Sequence, residues 1–299
     1  GGRDVLRAKF ASGSAPGRLL REHARLIDRT LREIWRIAAP AAEAALVATG
    51  GYGRGELFPF SDVDLLVLLA HDPSSEDRAR LERLVGLLWD IGLEAGHSVR
   101  TVEACLQAAH ADVTVETALL EARRLAGSAA LYRRLGAAMR RALDPIAFLK
   151  AKRLEQEQRH AKHQDTPYSL EPNLKEAPGG LRDLQAIRWI ARASGIGHRW
   201  VNLERKGLIV HGEALQLAQH EATLQDLRIR LHYLAGRRED RIVFDYQTAL
   251  AAQYGMRDGA VRRAGERLMQ RYYRTAKAIT QLNTILMQNF EALLAPRPD

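Results

Sequence analysis

At 299 residues, 46% of them apolar, the chain is long enough for about two domains with a sizeable core. A formal net charge of +9 favours anionic partners such as nucleotides or an acidic protein surface. Aromatic residues make up only 6%, and no alternation of basic and aromatic residues marks a base-stacking platform, so nucleic acid is not the expected partner. Arginine pairs such as Arg123-Arg124 and Arg237-Arg238 read instead as solvated helix faces. No stretch approaches the roughly 18 uninterrupted apolar residues of a membrane span. Arg3, Asp4, Arg7 and Lys9 interrupt any signal-peptide core. Cys105 is the single cysteine, which excludes an internal disulfide or a thiolate metal cluster and fits a cytoplasmic setting. The start at Gly1-Gly2, without Met, reads as a trimmed end.

Arg18 to Ala38 carries Leu19, Leu20, Leu26, Ile27, Leu31, Ile34 and Trp35 at helical spacing, and Pro40 ends the pattern. Ala44 to Thr49 reads as a first strand, Gly50 to Phe58 as a turn and short helix, and Asp62 to Leu69 as a second strand. Ser74 with Asp77 forms a plausible capping box for a helix over Glu76 to Trp89. Ser98 to Val102 and the stretch Val113 to Leu125 are read as further strand segments, giving a compact α/β layer. From about Ala129 onward the pattern is helical, including a helix over Leu181 to Ala193 with Leu184, Ile187 and Ile190 on one stripe. The expected division is a helical segment over 1–40, an α/β domain over 41–127 and an all-helical domain over 128–299, with the boundary near Gly127.

The most informative run is Gly50-Gly51-Tyr52-Gly53-Arg54-Gly55, followed by Ser61-Asp62-Val63-Asp64. Side chains on a strand alternate faces, so Asp62 and Asp64 point the same way. Two carboxylates beside a glycine turn can hold divalent metal ions against phosphate, the arrangement that nucleotidyl transfer needs. Gly50 and Gly51 allow the backbone close to phosphate oxygens, and Ser61 can donate a hydroxyl to a triphosphate. Arg54 can reach the phosphates or pair with Glu56 or Asp62. The glycines lack the Lys-Ser/Thr of a Walker loop. A second glycine turn, Pro178-Gly179-Gly180, precedes the Leu181 helix. Lys175 and Arg182 beside it suit either a triphosphate clamp or a local helix-entry ion network. His71-Asp72 has no assembled partners for a hydrolytic metal centre, His160 and His163 read as surface residues near the Lys175 loop, and Cys105 reads as a core residue.

At these residues the chain resembles the nucleotidyltransferases of the DNA polymerase beta superfamily, whose signature is a glycine pair, a short helix and Asp-x-Asp on the next strand. The longer string from Gly50 to Leu69 is similar to the family of bifunctional enzymes that uridylylate and de-uridylylate the PII nitrogen-signalling protein. Two further segments, Glu171 to Gln185 and Leu231 to Arg241, resemble the same family. The resemblance implies a polymerase beta-like nucleotidyltransferase domain followed by an all-α domain. It implies an enzyme that moves UMP from UTP to a tyrosine hydroxyl of PII with Mg2+ or Mn2+. It implies that Asp62 and Asp64 are joined by a third carboxylate. Glu121, in an acid-x-Arg pattern with Arg123, is the choice, and Glu94 is its competitor. It also assigns Gly50, Gly51, Arg54, Ser61, Lys175, Gly179, Gly180 and Arg182 to nucleotide binding. The uridylyl-removing and glutamine-sensing parts are expected to lie beyond Asp299, leaving a chain that attaches UMP but does not remove it. The rival readings are an adenylyl-transferring or RNA-tailing relative and a non-catalytic nucleotide-binding module.

Overall fold

A computed structural model describes residues 2–38, 43–93, 95–163, 165–260 and 262–295. Pro40 and Glu94, both singled out in the sequence, lie outside the described residues. The chain divides into two compact units, Gly1–Leu143 and Asp144–Asp299.

The first unit runs α1 (Gly2–Ala11), α2 (Pro16–Ala38), β1 (Ala44–Ala48), α3 (Gly50–Gly53), β2 (Val63–Leu69), α4 (Ser75–Asp90), β3 (Ala95–Thr101), α5 (Val102–Ala111), α6 (Val113–Leu120), β4 (Arg123–Gly127) and α7 (Ala129–Ala142). The strands form one sheet in the order β3-β2-β1-β4. Strand β1 is antiparallel to both β2 and β4, and β2 runs parallel to β3. Alternation along the strands sorts the core into two layers. Val63, Leu65, Val67 and Leu69 of β2 pack with Ile27, Leu31 and Ile34 of α2 and with Leu84 and Leu88 of α4. Leu66 and Leu68, on the opposite face, pack with Cys105 of α5 and with Leu131, Leu135 and Met139 of α7. Helix α7 is thus part of the sheet's covering. That is why the first unit extends to Leu143 rather than ending near Gly127.

Two elements differ from the sequence reading. The run Val113–Leu120, expected to hold a strand, is helix α6, started by Asp112, whose carboxylate accepts from the Thr114 amide at 2.7 Å. Its apolar run is short enough to suit either period, and the Asp112 cap decides for helix. Glu121 is therefore the residue that closes α6, and the strand begins only at Arg123. The N-terminal segment is also not separate, since α2 supplies much of one core layer.

The second unit is helical among its described residues: α8 (Pro145–Lys162), α9 (Leu181–Ala193), α10 (Trp200–Arg205), α11 (His211–Ala235), α12 (Phe244–Gln253) and α13 (Ala264–Leu294). Helix α9 has the predicted bounds and is buried along nearly its whole length.

The capping box of α4 is formed. The Ser74 hydroxyl oxygen accepts from the Asp77 amide at 3.2 Å, and the Asp77 carboxylate accepts from the Ser74 amide at 3.0 Å. Ser74→Ala is expected to destabilise the chain by about 1 kcal/mol, read as a lower urea midpoint for the first unit with an unchanged slope.

Candidate active site

Asp62 and Asp64 lie at the start of β2 on the face that carries Leu66 and Leu68. Both are exposed, with buried Val63 between them. The layer of α5 and α7 covers the leucines further along the strand, and the acid end of that face is open. The Asp64 carboxylate sits between two glycines. A Cβ at Gly50 would stand 3.3 Å from its Oδ2, and a Cβ at Gly96 on β3 would stand 3.1 Å from its Oδ1. Gly50 also adopts φ +56, a left-handed conformation suited to glycine. The Thr49 amide donates to the Asp64 carbonyl at 3.0 Å, so the glycine turn and the acid strand are joined through their backbones. Gly51 and Ser61 are half-buried nearby in the chain. Two exposed carboxylates with oxygen donors only, and no thiolate or imidazole in the set, fit a hard divalent cation.

Glu121 is not gathered into this pair. Among the described residues no group of three or more His, Cys, Asp or Glu side chains is placed to hold a metal ion. Glu121 is instead buried, 3% exposed, with Oε1 and Oε2 accepting from Arg54 Nη1 at 2.7 and 2.5 Å. Arg54 Nε donates to Glu56 at 3.1 Å. Burial opposes the charge on Arg54, but Glu121 and then Glu56 outweigh it and raise its pKa. Of the two roles open to Arg54 in the sequence, the pairing with Glu56 is present, and Glu121 joins it from across the fold.

A second buried network stands behind the same turn. Arg123 donates to Asp28 through Nη1 at 2.7 Å and Nη2 at 3.0 Å, and to the carbonyls of Gly53 and Tyr52 at 3.2 Å each. The Tyr52 hydroxyl donates to Asp28 at 2.6 Å. Burial, followed by that hydrogen bond to Asp28, pushes the Tyr52 pKa up. Sequence reasoning missed Asp28 and Tyr52. The available signal was a carboxylate on the apolar stripe of α2, flanked by Ile27 and Leu31, which demands a counter-ion.

In the second unit the two remaining motif segments meet. The Leu174 amide donates to the Asp240 carbonyl at 2.7 Å, and Asn173 bridges to Arg241. Asp240 accepts from Arg228 Nε at 2.6 Å and lies 3.2 Å from His232 Nε2. Gly179 and Gly180 are buried, and their amides are spent internally, on Asp183 Oδ2 at 2.7 Å and on the Ala177 carbonyl at 2.8 Å. They are therefore not outward donors for phosphate. Asp183, fully buried, also accepts from Arg159 at 2.6 Å and pairs with His160 at 3.0 Å. His160 is thus a core partner rather than a surface residue. The exposed side of the turn is carried by Lys175, Glu176 and Arg182. Glu176 Oε1 stands 3.5 Å from Lys175 Nζ and 3.1 Å from Arg182 Nη2. Burial and then repulsion from Arg182 lower the Lys175 pKa, with Glu176 opposing them. His71, exposed after β2, has its Nδ1 3.0 Å from the Asp72 carbonyl.

The family model described as "Nucleotidyltransferase domain" matches residues 28–120, and the one described as "GlnD PII-uridylyltransferase" matches 147–287. Proteins named "Bifunctional uridylyltransferase/uridylyl-removing enzyme" match nearly the whole chain. The one from Bordetella parapertussis is 56% identical over 292 residues, 98% of this chain. Those from Cupriavidus pinatubonensis and Burkholderia mallei are 53% and 55% identical over 98% and 97% of it. In each case the match takes in 34% of the relative, so the chain spans about a third of the curated relatives' length. The α/β unit is a nucleotidyltransferase domain built on a four-stranded mixed sheet, and a helical region follows it in the chain.

Removing the Asp28 carboxylate would strand Arg123, which is only 32% exposed. Asp28→Ala is expected to cost about 3 kcal/mol, the lower end for a broken buried pair, and Tyr52→Phe about 1 kcal/mol. Equilibrium unfolding in urea measures both.

Proposed function

This chain belongs to the family of bifunctional uridylyltransferase/uridylyl-removing enzymes, and we propose that it carries the transferase chemistry, moving UMP from UTP to a tyrosine hydroxyl of the PII protein. The observation that supports this reading is the exposed Asp62/Asp64 pair, with the Asp64 carboxylate held between Gly50 and Gly96. The acceptor oxygen attacks the α-phosphorus of UTP and forms the new P–O bond. The bond from that phosphorus to the bridging oxygen breaks, pyrophosphate leaves with the electron pair, and the hydroxyl proton passes to water at the open face. Asp62 and Asp64 would hold Mg2+ or Mn2+, which supplies charge stabilisation to the attacking and leaving oxygens. The chain's own groups bind and orient: the half-buried Gly50 and Gly51 admit the phosphates close to the backbone, and Ser61 stands one residue before the acid pair. No nucleophile from the chain is consumed. Among the described residues no helix is long and apolar enough to cross a membrane, and a cytoplasmic setting is part of this proposal.

Lys175 and Arg182 belong to the same reading. In the second unit, the half-buried Lys175 and Arg182 share one carboxylate, Glu176, which Arg159 also approaches at 3.8 Å. More cationic than anionic charge converges there, which suits a triphosphate.

Asp62→Asn and Asp64→Asn are each expected to lower UMP transfer to PII by at least about a hundredfold while the melting temperature holds, because the exposed carboxylates supply the metal-bound charge stabilisation. Near-wild-type transfer by a folded Asp64→Asn protein would remove the assignment.

Lys175→Ala and Arg182→Ala are each expected to weaken UTP binding, measured calorimetrically, by roughly ten- to a hundredfold, the equivalent of about 1.5–3 kcal/mol per charge-assisted hydrogen bond. Unchanged affinity with a lowered melting temperature would make the pair a local ion network only.

A further inference from the structure

We propose that Glu121 and Arg123 are positioning residues that clamp the glycine turn beside Asp64, Glu121 acting through Arg54 and not as a metal ligand. This rests on the transferase reading given above.

The turn α3 is held at one end and used at the other. Its used end is Gly50, whose Cα faces Asp64 Oδ2 closely enough that a Cβ would lie 3.3 Å away. Its held end is Tyr52, Gly53 and Arg54. Gly53 rests directly on the corner between α6 and β4, where a Cβ would fall 2.4 Å from the Glu121 carbonyl oxygen. Arg123 Nε and Nη2 donate to the Gly53 and Tyr52 carbonyls, each at 3.2 Å. Arg54, the residue that closes the turn, is gripped by both oxygens of Glu121. The acid-x-Arg pattern of Glu121 and Arg123 thus contacts the turn through two side chains and one backbone carbonyl. A carboxylate that is 3% exposed and already accepts two charge-assisted hydrogen bonds is poorly suited to coordinate an ion. It is well suited to fix a cation in place. Because Gly50 and Asp64 must stay in register for phosphate and acid pair to meet, release of the clamp displaces one against the other.

The test uses the whole chain, with UTP, Mg2+ and PII as probes. Glu121→Gln is expected to raise KM for UTP roughly tenfold and to leave the Mg2+ concentration for half-maximal rate unchanged. Arg54→Lys should do the same, and the double variant should be no worse than either single one, since both remove one coupling. Amide hydrogen exchange at residues 50–54 should accelerate in each. A tenfold or larger rise in the Mg2+ requirement of Glu121→Gln would overturn the proposal, as would additive effects of the two substitutions. Should Glu121→Gln not fold, Arg123→Lys carries the test, because it keeps the charge but loses the bidentate reach. Unchanged exchange at residues 50–54 in a folded Arg123→Lys protein overturns the clamp. The exchange arm needs no substrate, so absence of transfer by the unsubstituted chain, which would remove the transferase reading, leaves this inference decidable.

Discussion

The first unit depends on one buried ion pair. Asp28 lies on the apolar stripe of α2, 5% exposed, where an unpaired carboxylate would be costly. Arg123, at the start of β4, answers it with two hydrogen bonds and spends its remaining reach on the carbonyls of α3. Tyr52 closes the triangle from within the glycine run. Three elements far apart in sequence are therefore tied at one point. Arg32 also approaches Asp28, at 3.7 Å, but it is 49% exposed and contributes little to the pair. Replacing this network with apolar groups could leave the core as stable. It would not fix the angle at which α3 meets β2, and that angle sets Gly50 against Asp64.

The open acid pair follows from parity as much as from charge. Along β2 the odd residues face α2 and α4, and Leu66 and Leu68 face α5 and α7. Asp62 and Asp64 have the parity of the second group but precede the point where its helices begin to cover the sheet. A one-residue slip in the β1–β2 register would turn the carboxylates towards the α2 layer and the apolar residues of that layer onto the opposite face. The antiparallel pairing of Ala48 with Leu65 and Ala44 with Leu69 holds the register. Function and core packing are thus specified by the same alternation.

Much of this was legible in the sequence. The two strands around the glycine run, the capped helix α4, helix α9 and the shared face of Asp62 and Asp64 all follow from local period and local caps. The nucleotidyltransferase family followed from the motif strings. What was not legible has a common cause. The acid-x-Arg pattern puts Glu121 with the metal pair, yet its partner in the fold is Arg54, 67 positions away. Asp28 and Arg123 are 95 apart. A pattern supplies residue types, whereas the fate of a carboxylate is set by which cation the fold brings to it. Helix α6 departs from the expected strand for a milder reason: eight residues of apolar and β-branched character satisfy both periods, and the Asp112 cap selects the helix.

The two glycine turns make the same point from the opposite side. Both precede a helix in the sequence, the first reading as a phosphate turn and the second as either a triphosphate clamp or a tight helix entry. At Gly50 the space a side chain would take is bounded by the carboxylate of Asp64, a group that can itself engage a ligand. At Gly179, with φ +76, that space is bounded 2.2 Å away by the carbonyl of Ala276, in the backbone of α13. The first glycine leaves room beside an exposed acid, and the second lets two backbone segments touch. The buried Asp183, held by Arg159, His160 and the Gly179 amide, confirms that the second turn is knit into the helical core. Any chemistry at that turn must therefore be carried by its partly exposed side chains, Lys175, Glu176 and Arg182, rather than by its amides. At the first turn the glycine backbone itself lies against the exposed Asp64 carboxylate. Identical glycine pairs serve different ends because what stands behind them differs, and that is a property of the packed fold.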